Sequence, residues 1–443
     1  MENVINKVKA GPTKDFFVSM ITRDIQLSDA IVELIDNSID GIKRQKADNY
    51  KDFFINVKFD KGSFEIEDNC GGIDLANATQ YAFVFGKPKA AREQQERVET
   101  TGTFGIGMKR ALFKMGRKFD VESKAEASSF ILNVDVDAWM QEEEWDFLLS
   151  EANHSKNKKT KCGTTITVTN LFPGIQQSFG YSAFTSEVIN VVQRRTNSEI
   201  SKGLTIRING TKIDGSFLSI INGINVVPYK YEFNSNDISV IIIAGISQET
   251  DPNKAGWYIY CNNREVLSAD KSSLTTWKDD KDIDGVKYHN DYATFRGFVF
   301  FTSSYPERLP WNTSKTGIDS SSSIYKETRQ HMVDAFKIIS TELRKLASLD
   351  EDLRNKVTQE IRKNSVAKIH YYATQAIKTR TSIAFVDACA EQIRKNSKIS
   401  PTTRISYTVD VKDAAKVKKA LNVSSNKDIG LKTFEYYVEM ENI

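Results

Sequence analysis

The chain has 443 residues, 40% of them apolar and 27% charged, with a net charge of only +3. That length supports roughly two to four domains. The longest uncharged apolar run, 239–246, is far shorter than the ~20 residues a membrane span needs. No signal-like stretch opens the chain, and Cys70, Cys162, Cys261 and Cys389 form no CxxC pair, so thiols in a cytoplasmic, reducing setting are expected.

In chain order, 24–46 reads as one helix, because Leu27, Ile31, Leu34, Ile35 and Ile42 recur at helical spacing. The stretches 54–59 and 63–67 alternate like strands around a turn at 60–62, which puts Asp68 at a strand end. Residues 86–101 are polar and carry no core pattern, so they read as a loop. A helix should start after Gly107, with Met108, Ala111, Leu112 and Met115 on its apolar side, and strands should follow near 118–122, 130–136 and 164–169. A second region starts near Gln176, with strands at 204–208, 239–246, 257–261 and 295–301. Two long helices, 324–346 and 357–393, come next. Pro401 breaks the pattern. The last forty residues or so alternate at Ile405, Tyr407 and Val409 and then give two short helices. Charge is uneven along this order: 351–420 holds fifteen Lys/Arg against seven Asp/Glu, or +8, which leaves −5 for the rest. A basic segment on a mildly acidic body points to a polyanionic partner.

Three segments carry chemistry. Glu33 and Asn37, in the run ELIDN, are four apart and share a helix face. Asparagine offers a neutral oxygen to magnesium, and a glutamate one turn away can take a proton from water. Asp36 is the rival base. The same helix also carries Asp29 and Asp40, an acid density that is costly unless a cation or water is close. Asp68, before Gly71 and Gly72, can accept from the exocyclic amino group of adenine while the glycines let backbone approach the ring. Gly102, Gly105 and Gly107 make a GxxGxG turn into a helix bearing Lys109 and Arg110, an anion cradle. Together they predict ATP and Mg2+ binding with hydrolysis. His154, His289, His331 and His370 are not followed by the acid expected beside a phosphoacceptor, which argues against a phosphorelay histidine.

These three segments, with Gly163-Thr-Thr165 at the head of a strand, resemble the four ATP motifs of the GHKL ATPases, the superfamily of DNA gyrase B, the large heat-shock chaperones, histidine kinases and MutL. Within it the chain is most similar to MORC-type proteins: Phe83 to Gly86 looks like their segment before the lid, Phe104 to Lys109 like their glycine run, and Trp257 to Arg264 like a strand-plus-NxR element. The resemblance implies an α/β chain. Its parts would be a Bergerat-type α/β sandwich over 1–175 with a lid at 87–107, an S5-like α/β transducer over 176–320, a helical region over 321–398, and a small strand–helix–helix module over 399–443 that is similar to a ribbon-helix-helix unit. It adds Phe85, Met108 and Lys109 to the nucleotide contacts. It also adds Thr165, with Thr164 as the near alternative. A transducer cation should reach the γ-phosphate, for which Lys315 is the choice and Arg308 the substitute. It implies an ATP-dependent homodimer, while the basic stretch and the ribbon-helix-helix-like pattern of the C-terminal region point to duplex DNA as a candidate partner. The other readings are an ATP-gated chaperone or scaffold without nucleic acid, and a sensor with negligible turnover.

Overall fold

The computed structural model describes residues 11–86, 100–101, 105–154, 156–158, 162–277, 286–312, 315–375, 384–397 and 405–442. Most of the expected 87–107 lid lies outside these residues.

Two sheets organise the chain. The first has eight strands: β1 (Phe54–Phe59), β2 (Phe64–Asp68), β3 (Gly116–Lys124), β4 (Ser129–Asp135), β5 (Leu149–Asn153), β6 (Gly163–Leu171), β7 (Thr205–Ile208) and β8 (Thr211–Lys212). Their order is β5-β4-β3-β6-β2-β1-β7-β8, and only the β1–β7 pair is parallel. The strand expected at 204–208 in the second region therefore joins the first sheet instead, because Phe54 to Val57 pair with Thr205 to Ile208. Helix Leu27–Arg44 packs over this sheet with helix Gly107–Met115 beside it. Ile31, Ile35, Leu112, Val57, Ile66 and Val168 meet in its core. Each such side chain contributes ~1.5–3 kcal/mol on burial, which fixes the helix in register on the sheet.

The second sheet has order β10-β11-β14-β12-β13, built from β10 (Tyr229–Ser235), β11 (Ile238–Ile246), β12 (Gly256–Cys261), β13 (Arg264–Asp270) and β14 (Phe295–Thr302), after a short β9 (Ser219–Ile221). Every residue of β12 is buried, because the sheet is covered on both faces. Helix Ser323–Ser348 supplies Met332, Phe336 and Ile339 to one side, where Trp257, Trp277 and Phe295 lie. Ile369 and Tyr372 pack on the other side against Tyr258, Tyr260, Phe298 and Phe300.

The helix expected over 357–393 is interrupted. Helix Glu351–Arg362 stops, and β15 (Val366–Lys368) then pairs antiparallel with β9. Helix Ile369–Thr374 follows, and after it helix Phe385–Ser397. Asn364 and Ser365 end the first helix through side-chain bonds that compete with the helical ladder: Asn364 Nδ2 donates to the Glu360 carbonyl at 3.1 Å and Ser365 Oγ to the Asn222 carbonyl at 2.5 Å. Residues 405–410, expected to alternate as a strand, form none among the described residues, and helices Val411–Leu421 and Asn426–Glu441 bury no residue. No helix among the described residues is long and apolar enough to cross a membrane.

Candidate nucleotide site

Helix Leu27–Arg44 forms one wall of a cavity of about 300 Å3 and brings Glu33, Asn37, Ser38 and Asp40 to it. The strand end and turn after β2 add Asp68, Cys70 and Gly72. The start of helix Gly107–Met115 adds Gly105, Gly107, Met108, Lys109 and Arg110. Thr164 from β6 and Lys315 also line it.

At one end, Asp68 is fixed on both oxygens. Ser38 Oγ donates to Oδ2 at 2.6 Å and the Cys70 amide to Oδ1 at 2.7 Å. Burial raises the Asp68 pKa and these bonds pull against it. Gly72 has φ +70°, and a Cβ there would run into the Lys124 carbonyl, so only glycine lets the turn pass between cavity and sheet. The Ile73 amide donates to Ser123 Oγ at 2.7 Å, and Ser123 Oγ lies 3.2 Å from Thr164 Oγ1.

At the other end, Glu33 is held between two cations. Lys315 Nζ donates to Oε2 at 2.9 Å and Arg264 Nη1 to Oε1 at 3.1 Å, with all three side chains almost fully buried. Burial alone would raise the Glu33 pKa. The charges of Lys315 and then Arg264 outweigh it and bring the carboxyl to about 2. Burial in turn lowers the Lys315 pKa. Arg264 also binds Asp36, so Asp36 is turned toward the second sheet and does not line the cavity. Helix Gly107–Met115 approaches so closely that a Cβ on Gly107 would strike Glu33 Oε2. Asp40 accepts from the Thr101 amide at 2.9 Å and from its hydroxyl at 3.1 Å, which anchors the chain just before the glycine turn. Asp29 pairs with Arg195 at 2.6 Å. The acid stripe of this helix is thus matched largely by Arg195, Arg264 and Lys315.

Residues 25–164 match the family described as histidine kinase-, DNA gyrase B-, and HSP90-like ATPase. That match supports a GHKL-type ATPase segment. No curated protein matches the chain. The segment includes Glu33, Asn37, Asp68, Gly72, the glycine turn and Thr164, whereas Arg264 and Lys315 come from outside it.

Within the matched segment, Asn37 is the one exposed residue in a run of buried neighbours from Ile31 to Ile42, and it faces the cavity. Among the described residues no group of three His, Cys, Asp or Glu could hold a metal. The Asn37 amide oxygen in the cavity wall, with phosphate oxygens and water, would make a donor set that suits a magnesium ion. Lys109 is 2% exposed. Its ammonium donates to the Ala82 carbonyl at 2.8 Å, and burial lowers its pKa to about 7.

Other expected contacts sit differently. Phe85 does not line the cavity. It packs among Phe17, Phe113, Trp139, Trp145 and Phe147, with ring centroids 5.1–6.3 Å away, because an aromatic cluster outcompetes the polar wall for it. Thr164 lines the cavity and Thr165 does not. Neighbouring residues of β6 point to opposite faces, and Asp68 pairs with Thr164 in register. Gly102 lies outside the described residues. Arg308 pairs with Asp237 at the surface, away from Glu33. Arg264 had no assigned role from sequence. It entered only as the last residue of the Trp257 to Arg264 strand-plus-NxR likeness, directly after Asn262 and Asn263, whose φ values of 47° and 69° make the tight turn between β12 and β13.

Proposed function

We propose that the chain binds MgATP in this cavity and hydrolyses it slowly, and that nucleotide binding closes two copies into a MORC-like clamp on DNA. The observation that carries the catalytic part is that Glu33, Asn37 and Asp68 share one cavity with Lys315, a cation from a distant loop. Adenine would lie against Asp68, Gly72 and Thr164. The phosphates would lie along the turn from Gly105 to Lys109, at the amide-rich start of a helix. Magnesium bound through Asn37 would screen the charge of the phosphates. Glu33 accepts a proton from the attacking water as the water oxygen bonds to the γ-phosphorus, and the bond to the bridging oxygen breaks to release ADP and phosphate. Lys315 exchanges Glu33 for the γ-phosphate and stabilises charge there. The five-stranded second sheet, which we read as an S5-like transducer, would carry the closing motion.

The +8 excess over 351–420 supports the DNA part. One feature favours a protein scaffold instead: none of the described residues 405–442 is buried, and Tyr407, Leu431, Phe434, Tyr437 and Met440 are exposed. Light scattering on the apo, ADP and non-hydrolysable ATP forms, with and without duplex DNA, tests the clamp. A dimer that needs ATP, and ATPase activity raised by DNA, are expected. A monomer in every form removes the gated dimer, and DNA-blind activity leaves the scaffold.

A further inference from the structure

Arg264 stands at the exit of a pinned turn. Asn262 Nδ2 donates to the Thr100 and Ser303 carbonyls at 2.9 Å each, and its Oδ1 accepts from the Ser303 amide at 2.9 Å. Lys43 Nζ reaches the Asn262 carbonyl at 3.4 Å. The turn is therefore tied to the chain leading into the glycine turn, to its own sheet and to helix Leu27–Arg44. From it the Arg264 guanidinium enters behind Glu33, with its side chain 1% exposed. It bonds Glu33 and Asp36 through Nη1 alone. Its Nε and Nη2 have no hydrogen-bond partner among the described residues. Buried guanidinium N–H groups normally find acceptors, so this one has donors in reserve.

The Lys315 bond to Glu33 cannot persist if its ammonium turns to a phosphate. A buried carboxylate that loses one of two cations either moves or is held by the other. We propose that Arg264 is the positioning residue for Glu33, keeping the carboxylate at the cavity wall once Lys315 has transferred to the γ-phosphate. A planar guanidinium with three nitrogens can follow the carboxylate from a single bond to a two-pronged grip, which an ammonium cannot do. Arg264 also occupies Asp36, so that of these two carboxylates only Glu33 faces the cavity. The groups charged toward Glu33 are Lys315 and Arg264. This inference rests on the reading of Glu33 as the base.

The test is steady-state and single-turnover MgATP hydrolysis by the full chain, with kcat followed against pH. Arg264→Gln is expected to lower kcat about 100-fold, as misplaced catalytic groups do, with KM changed less than about threefold. It also removes a cation from Glu33, so the acid limb of kcat moves to higher pH. Arg264→Lys recovers part of kcat and returns the limb toward its original position, and it decides the question if Arg264→Gln does not fold. Asn262→Gly loosens the same turn without removing charge and leaves the limb in place. Unchanged kcat in Arg264→Gln overturns the proposal. So does an Asn262→Gly variant that matches it in both kcat and limb, since that outcome makes Arg264 a fastener of the hairpin. Glu33→Ala, run in parallel, separates the two ideas: if it turns over normally the base assignment fails, and if only Arg264 variants are normal the positioning role alone fails.

Discussion

Lys315 Nζ lies 2.9 Å from Glu33 Oε2, although 282 positions separate the two residues. The contact joins the segment that matches the ATPase family to the loop after the second sheet. It also ties the proposed base to the cation proposed for the γ-phosphate. Neither is poised for its task while they hold each other, because a carboxylate near pKa 2 is a weak proton acceptor.

Glu33→Gln should bind ATP and lose turnover by roughly 10²- to 10⁴-fold, the usual worth of a positioned base. It should also destabilise the nucleotide-free protein, because Lys315 is left buried without its carboxylate, a loss on the order of 3 kcal/mol. Equilibrium ATP binding and thermal unfolding check the two halves. Wild-type turnover in this variant would reject Glu33 as the base.

The same pair sets an acid dependence. The folded pKa of Glu33, about 2, is below its ordinary 4.5, so the unfolded chain binds more protons between those values and stability rises with pH there. The stabilisation is complete above pH ~4.5 and is lost as pH falls toward 2. The stability gap between wild type and Glu33→Gln should therefore narrow across that window in chemical denaturation. A gap that stays constant from pH 6 to pH 3, roughly speaking, contradicts the assignment.

Lys109 runs the other way. Its folded pKa of about 7 is below its ordinary 10.5, so the penalty for burying the ammonium is complete below pH ~7 and disappears as pH rises toward 10.5. Lys109→Met should stabilise the nucleotide-free protein at neutral pH and give little by pH ~10. If phosphate approaches this lysine, ATP binding near pH 8 should take up protons, seen by calorimetry in buffers of different ionisation enthalpy, and Lys109→Met should abolish the uptake.

Gly107→Ala should reduce turnover far more than it reduces folding, because its methyl would meet Glu33 Oε2, a side-chain atom able to swing aside. Gly72→Ala should instead cost roughly 1–3 kcal/mol or more of stability, since φ +70° and the Lys124 carbonyl both oppose it. Melting curves and single-turnover rates on both variants should separate in this sense.

Removing residues 405–442 should leave the melting midpoint of the rest within about 2 °C, because none of the described residues there is buried. Any change should appear in DNA-stimulated activity or in oligomeric state. A large drop in the midpoint would mean that this module is packed into a core.

Local interactions were readable from the chain itself. The apolar spacing of Ile31, Leu34, Ile35 and Ile42 determined the helix that bears Glu33 and Asn37. The glycines at 72, 105 and 107 marked turns where backbone must come close, and alternation marked β1 and β2. Each of these depends on residues a few positions apart. Choosing Thr164 over Thr165 needed the register of β6 against β2, and moving Phe85 away from the cavity needed the aromatic cluster around it. The break at Asn364 and Ser365 needed β9, more than a hundred residues earlier, as a pairing partner for β15. Of the cations that neutralise the acid helix, Lys315 was reached through the family resemblance, whereas the pairing of Arg195 and Arg264 with that helix was beyond sequence reasoning for the same cause. Arg264 lies 231 positions from Glu33, and a Coulomb pair over such a separation leaves no periodicity or spacing in the chain. Only packing the second sheet's hairpin against that helix, with water excluded, decides that those charges meet.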